Sequence, residues 1–447
     1  MMALLLKFFL AYGLAFTVGF VVMRMLDHSQ RFSRGFICFC ALPVGIGFLT
    51  MQVFTVGIFG ANLTLPVLLA IAGADLALLL AAAMLLGRPV FSFTTRTVPF
   101  QGSKVLLIVF LIVLAFKIGA GVWQIASTPV YEFDSWNNWD LRGKVIFDEH
   151  RLPLDKSQPY YLGGGLSSYP LNDGLWKVWV ATMVGSWRED AVNLYSVAFY
   201  AVLVGLFYFS LPRDWSPNFR LIPIYALTGL PFIYFHSWMA YADLEFTVYA
   251  FLAIISLFRF IIDSYKPYLY LSAIALALAV WTKNEGLALL APVIFFGSIW
   301  QAYQKTLSKK HFITYWLTAS AFAAPWLIFR FVNKLNVLSG DSSTFKFIIN
   351  DIFFVDWLSS IFLRSHFNFL WLLLIILIVY FRQVIWQEQA LRFLALTTGL
   401  FFLASSGVIL FTDRAYDLSA AVRSNMQIVP VALYLCAFLL ERLWYRK

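Results

Sequence analysis

A polytopic, all-α membrane protein is the fold class this sequence predicts, and three observations predict it. Of its 447 residues, 61% are hydrophobic and 13% charged, against roughly 25% charged in soluble domains. Apolar runs long enough to cross about 30 Å of hydrocarbon recur from one end of the chain to the other. Lys and Arg gather in alternate loops between those runs. No soluble fold of this length hides so much apolar surface, so the bilayer is the natural solvent.

The runs predict about thirteen spans, over 4–23, 36–59, 63–86, 104–126, 190–211, 220–236, 242–262, 267–282, 286–303, 312–332, 366–381, 392–411 and 424–441. A further stretch, 171–185, is interrupted by Lys177 and reads as an interfacial or re-entrant helix. One set of alternate loops holds most of the cations, among them Arg31, Arg88, Arg213, Arg259, Lys310, Arg392 and Arg442. The positive-inside rule assigns that set to the cytoplasm, with the N-terminus outside and the C-terminus inside. The other set contains two long segments, 127–189 and 333–365, and long loops on one side of a tightly connected protein are usually functional. The chain divides accordingly into three N-terminal helices (1–103), a core (104–303) with its first outer loop at 127–189, and C-terminal helices (304–447).

The formal charge of +10 follows from this loop bias. No basic recognition motif accompanies it, so membrane lipids and not nucleic acid are the expected partners. Cys38, Cys40 and Cys436 lie within predicted spans, and the five His residues are scattered without metal-ligand spacing. Gly163-Gly164-Gly165 reads as a flexible turn rather than a phosphate cradle.

Four outer segments carry the chemistry. In the first, Glu132 and Asp134 precede Trp136, Trp139, Gly143 and Ile146 at helical spacing, which predicts a surface helix with its Trp side in the lipid boundary. Asp134 is either a helix N-cap or a catalytic carboxylate, with Glu132 and Asp140 as nearby alternatives. The second is Tyr241-Ala242-Asp243-Leu244-Glu245, where Asp243 again suits a cap. Glu245 enters a span, and an ionisable group there suggests function. The third is Trp281-Thr282-Lys283-Asn284-Glu285-Gly286. Lys283 lies on the side that cations avoid, and with Asn284 and Glu285 beside it would suit a phosphate leaving group. The fourth carries Arg414 and Arg423, and Arg favours bidentate phosphate contact. Carboxylates with Lys and Arg at one membrane face suit transfer from a lipid phosphate, a base for the acceptor hydroxyl and cations for the departing phosphate.

Asp134 with Asn138-Trp139-Asp140-Leu141-Arg142-Gly143-Lys144, Tyr169-Pro170-Leu171, Tyr241-Ala242-Asp243 and Trp281–Gly286 resemble the corresponding segments of GT-C glycosyltransferases. The relatives are the family-39-like bacterial members akin to protein O-mannosyltransferases and to the lipid A aminoarabinose transferase. The resemblance covers 104–303 well and Arg423 to Pro430 more loosely. It implies a GT-C-type helical bundle with juxtamembrane helices on the extracytoplasmic side of a bacterial inner membrane. It implies a polyprenyl-phosphate sugar donor and a glycolipid, glycan or protein acceptor. Asp134 becomes the proposed base, Asp243 the second acidic residue, and Tyr169, Tyr241 and the basic residues donor contacts. It also admits a divalent metal between the acidic sites, a task that Lys283 and the arginines can perform instead. Three spans precede the family's usual first helix. A surface-polysaccharide polymerase or ligase shares the donor class; a transporter would need a polar transmembrane path, for which the mid-span charges Asp75 and Lys117 are too few, and an assembly subunit would use the three added spans to dock a partner.

Overall fold

The computed structural model describes residues 2–88, 90, 101–336, 351–411 and 418–444, and among them it is helical throughout, with no strand. In chain order the helices are α1 (Met2–Leu26), α2 (Arg34–Ile58), α3 (Leu65–Leu85), α4 (Lys104–Ser127), α5 (Asp140–Glu149), α6 (Asn172–Val184), α7 (Glu189–Val192), α8 (Tyr195–Ser210), α9 (Pro217–Gly229), α10 (Pro231–Phe235), α11 (Asp243–Asp263), α12 (Lys266–Thr282), α13 (Ala291–Tyr303), α14 (Lys309–Asn333), α15 (Asp351–Leu358), α16 (Leu370–Tyr380), α17 (Arg382–Gln387), α18 (Gln389–Leu410), α19 (Leu418–Met426) and α20 (Val429–Trp444). Local signals set many of the ends. The Ser33, Ser103 and Ser308 hydroxyls accept hydrogen bonds from the backbone N–H three residues on, capping α2, α4 and α14. Left-handed Gly185 closes α6.

Among the described residues nine helices are long and apolar enough to cross a membrane, or ten if the bent pair α19–α20 counts as one span. Three of the thirteen expected spans are therefore not met by a helix of spanning length. The stretch expected at 220–236 is broken at Leu230, because Pro231 starts a new helix and cannot continue the old one. α12 and α16 are 17 and 11 residues long, and only the first approaches about 25 Å at 1.5 Å per residue. The helix expected at 171–185 exists as α6. At 13 residues it is too short to span, and it is buried within the bundle rather than lying at a boundary.

The element ends sort onto two faces. On one, Leu63 N–H donates to the His150 carbonyl, and Lys156 to that of Asn333. On the other, Arg24 reaches the Val90 carbonyl, Ser103 N–H donates to Asn218, and Arg442 pairs with Glu388. This is the same alternation that the loop charges predict.

The three N-terminal helices are part of the same core. α1 and α2 meet backbone to backbone: a Cβ on Gly45 would sit 1.7 Å from the Ala15 carbonyl oxygen, and one on Gly19 1.8 Å from that of Ala41. Small residues are what allows helices in lipid to approach so closely. α2 then packs on α6 and α8, so α1 and α2 join the rest of the bundle directly.

Candidate functional site

Residues 135–139 make one wide, π-type turn that runs straight into α5. The spacing Trp136, Trp139, Gly143, Ile146 was expected to face lipid. Instead Trp139, Gly143 and Ile146 turn inward and are buried, and only Trp136 is exposed. The cause is close packing on α6, where a Cβ on Gly143 would meet the Gly174 carbonyl oxygen at 3.1 Å. Arg142, also buried, donates to the carbonyls of Leu162 (3.3 Å), Pro170 (3.1 Å) and Tyr169 (2.9 Å), tying the long loop to the helix. The glycine run is packed rather than loose. Its φ angles are +89°, +86° and +56°, and a Cβ on Gly165 would lie 2.6 Å from Asn138 Oδ1. That oxygen accepts the Leu166 N–H at 2.8 Å.

These contacts shape one wall of a cavity of about 500 Å³. Asp134, Asn137, Asn138 and Tyr169 border it from the long loop, Asp243 from the start of α11, Lys283 and Glu285 from the turn after α12, and Arg423 and Ser424 from α19. Four segments far apart in sequence thus meet at one place. Asp134 stands at the start of the wide turn, yet its side chain makes no cap bond. It accepts instead from Arg423 Nη1 at 2.6 Å. Asp243 likewise serves no cap; its Oδ1 lies 2.9 Å from Lys283 Nζ, which also reaches Glu285 at 3.1 Å. The two acids differ in access. The Asp134 side chain is 38% exposed and that of Asp243 0%.

Aromatic rings complete the cavity wall. Trp139, Tyr169, Met239, Tyr241 and Ala242 form a small buried cluster of their own, with Trp139 and Tyr169 edge to face at 5.4 Å. The Arg423 guanidinium lies 5.1 Å from the Tyr241 ring centre, and Lys283 Nζ 6.0 Å from that of Trp139. Burial alone would lower the affinity of Lys283 for its proton. Asp243 and Glu285 outweigh it and raise the ammonium well above its usual range.

Other residues expected at the site sit elsewhere. Asp140 is buried, accepting from Lys177 Nζ at 2.7 Å and from Asn193 at 2.9 Å. Lys177, which interrupts the apolar run of α6, also pairs with Asp173 at 3.0 Å. Glu245 is enclosed and accepts from Asn172 at 2.8 Å; Asn172 also donates to Thr282 and accepts from Thr50 of α2. Asn284 turns from the cavity to accept from Arg330 Nη1 at 2.7 Å. These three make structural contacts in place of the expected donor contacts. Glu132 borders a small cleft with Glu189 and Asn193; its burial there raises its carboxyl above the usual range. Tyr241 backs Arg423 from behind the lining. Arg414 lies outside the described residues.

No group of three or more His, Cys, Asp or Glu side chains able to hold a metal occurs among the described residues. Asp134 and Asp243 each already face a cationic side chain, so the donor set does not suit a divalent ion.

Two solved structures share this arrangement of helices: ArnT from Cupriavidus metallidurans bound to undecaprenyl phosphate, and ArnT from Cupriavidus metallidurans in the apo state. Each superposes with a TM-score of 0.53 at 11% identity, covering 76% of this chain and 61% of that one. The fold is ArnT-like. The chain spans about 61% of the length of the ArnT it matches. No protein-family model matches the sequence, and no curated protein sequence matches it. The sequence assigned no role in the site to Asn137, Asn138 and Ser424, which line the cavity, or to Arg142, Asn172, Lys177 and Arg330, which support it. A buried cation was the available signal for the last two. Neither Lys177 in an apolar run nor Arg330 near the end of one has a place in a span without a partner.

Proposed function

We propose that the chain is a glycosyltransferase that moves a sugar from a polyprenyl-phosphate-linked donor to an acceptor hydroxyl at the extracytoplasmic membrane face, inverting the anomeric carbon. The observation that carries this reading is the convergence of two carboxylate–cation pairs, Asp134–Arg423 and Asp243–Lys283, on one cavity. The ArnT-like fold supports it, and about 500 Å³ lies within the usual range for small-molecule sites.

Asp134 is the general base, because its carboxylate is the most open of the three that border the cavity, 38% exposed against 16% for Glu285 and 0% for Asp243. It takes the hydroxyl proton as the acceptor oxygen bonds to the anomeric carbon. The bond from that carbon to the phosphate oxygen breaks on the opposite side, and its electron pair leaves with the polyprenyl phosphate. Attack from the face opposite the leaving group is what inverts the centre. Arg423 and Lys283 stabilise the departing phosphate. Arg423 exchanges Asp134 for the phosphate when the donor arrives, which frees the base. Asp243 is too enclosed to move a proton and holds Lys283 in position.

The test is release of free polyprenyl phosphate from a panel of polyprenyl-phosphate monosaccharides, with the purified chain in nanodiscs made from native membrane extract. Asp134→Asn should slow release roughly 100-fold or more with donor binding retained. A wild-type chain that turns over none of the panel, or a variant as fast as wild type, would overturn the reading.

A further inference from the structure

A second cavity, of about 730 Å³, opens at the other end of the bundle. It is bounded by Arg31 after α1, the turn Leu211–Trp215 between α8 and α9, the end of α11, the start of α12, and the end of α20. α11 runs from one cavity to the other. Its first residue, Asp243, borders one and its last, Asp263, borders the other. Its 21 residues put those ends about 30 Å apart at 1.5 Å per residue. No group in the second cavity can therefore touch a ligand reacting in the first.

The second cavity is held open by bonds among its own walls. The Asp27 carboxylate accepts from the Tyr265 hydroxyl at 2.7 Å and from the backbone N–H groups of Arg31 (2.9 Å) and Phe32 (3.1 Å). The Tyr434 hydroxyl donates to the Ser210 carbonyl at 2.7 Å. Four arginines border the space. Arg259 is neutralised by Asp263 at 2.9 Å and Arg442 by Glu388 at 2.7 Å. Arg31 and Arg213 are both exposed. The Arg31 guanidinium lies 4.9 Å from the Tyr265 ring centre. Among the described residues neither Arg31 nor Arg213 has an ion-pair partner. Asp214 is the one remaining acid on the lining that is not beside Arg259 or Arg442. The cavity thus presents two guanidinium groups without an ion-pair partner, Arg31 and Arg213, beside the carboxylates of Asp214 and of Glu441, which shares Arg442 with Glu388. Phe36, Phe209 and Ile262 supply an apolar side.

We propose that this cavity binds a phosphate ester, its phosphate held by Arg31 and Arg213 and its carbon portion lying along the apolar side. Guanidinium groups are matched to phosphate by their paired N–H donors, and the volume is too large for bare phosphate alone. The ester is either the headgroup of a lipid in the adjoining leaflet or a soluble metabolite; the phosphate chemistry is shared.

Native mass spectrometry of the full-length chain in detergent separates the sources. The probes are phosphatidylglycerol, phosphatidylcholine and glycerol 3-phosphate. Preference for phosphatidylglycerol over phosphatidylcholine, reduced at least about tenfold in Arg31→Gln/Arg213→Gln, establishes a lipid headgroup. Retention of glycerol 3-phosphate with the same dependence establishes a soluble ester. If neither anionic probe binds the wild-type chain, or the double variant binds as wild type does, the proposal fails. Should the double variant not fold, Asp214→Asn decides. Removing this acid must tighten binding severalfold, and unchanged affinity overturns the site.

Discussion

Asp134 and Arg423 hold each other across 289 positions of sequence at 2.6 Å, and each is partly open to the cavity. Neither is locked in a dry interior, so replacing Arg423 changes what the cavity binds more than whether the chain folds. A charge-assisted contact to phosphate contributes about 1.5–3 kcal/mol. Arg423→Gln should therefore weaken donor binding by about tenfold or more, measured on the purified chain. Arg423→Lys should recover little of it if the guanidinium uses two N–H donors. Donor affinity unchanged in both variants would remove the phosphate role. Lys283 behaves differently, because Asp243 beside it is completely buried. Lys283→Met leaves that carboxylate uncompensated, a loss of about 3–5 kcal/mol for a buried pair broken on one side. Pairing the change with Asp243→Asn should restore most of the stability while donor binding stays weak. Thermal unfolding and donor titration of the single and double variants separate the two effects. If the double variant binds donor as wild type does, Lys283 is purely structural.

At the scale of elements, the wall of the site is only as firm as the contact between α5 and α6. Lys177 supplies it by reaching Asp140 on α5 and Asp173 on its own helix. Lys177→Met should destabilise the protein by about 3–5 kcal/mol, read as a lower unfolding midpoint in detergent. A midpoint within a degree of wild type would show that α5 is held by Arg142 alone. The α1–α2 contact is a second such joint. A side chain at Gly45 has no room beside the Ala15 carbonyl, so Gly45→Leu must push the helices apart. Thr50, on the same helix, accepts from Trp281 at 3.0 Å and donates to Asn172. The displacement should then reach the turn that carries Lys283. Loss of stability together with weaker donor binding is expected, and a variant with wild-type values in both would uncouple α2 from the site.

The whole molecule orders its charge by face. The segments that meet at the first cavity are joined by α11, α12 and α13 to segments that carry Lys266, Lys305, Lys309 and Lys310 at the other end. The positive-inside rule puts that end in the cytoplasm. A single Cys at Gln158, exposed in the long loop, should react with an impermeant thiol reagent in intact cells, and one at Lys310 should not. The reverse pattern would turn the molecule over and place the donor cavity in the cytoplasm.

Much of this was determined by the sequence alone. Apolar runs forced helices, because a backbone in lipid must satisfy its own hydrogen bonds. Loop cations ordered their ends, and cations out of place marked Lys283 and Arg423. Asp134 and Asp243 were legible as acids at helix starts, but capping and catalysis look alike in one dimension. Only the tertiary structure set the capping role aside, by giving each carboxylate a cation from another segment. The same step removed Asp140, Glu245 and Asn284 from the cavity by giving them Lys177, Asn172 and Arg330. Two further expectations also failed for want of distant neighbours. The Trp139 face turned inward because α6 lay beneath it, and the glycine run was packed because Asn138 lay against it. The span at 220–236 failed for a local reason, the break at Pro231 that the sequence itself carries. Periodicity records what a residue repeats with along the chain; partners hundreds of positions away leave no trace in it, and at this site those partners set the chemistry.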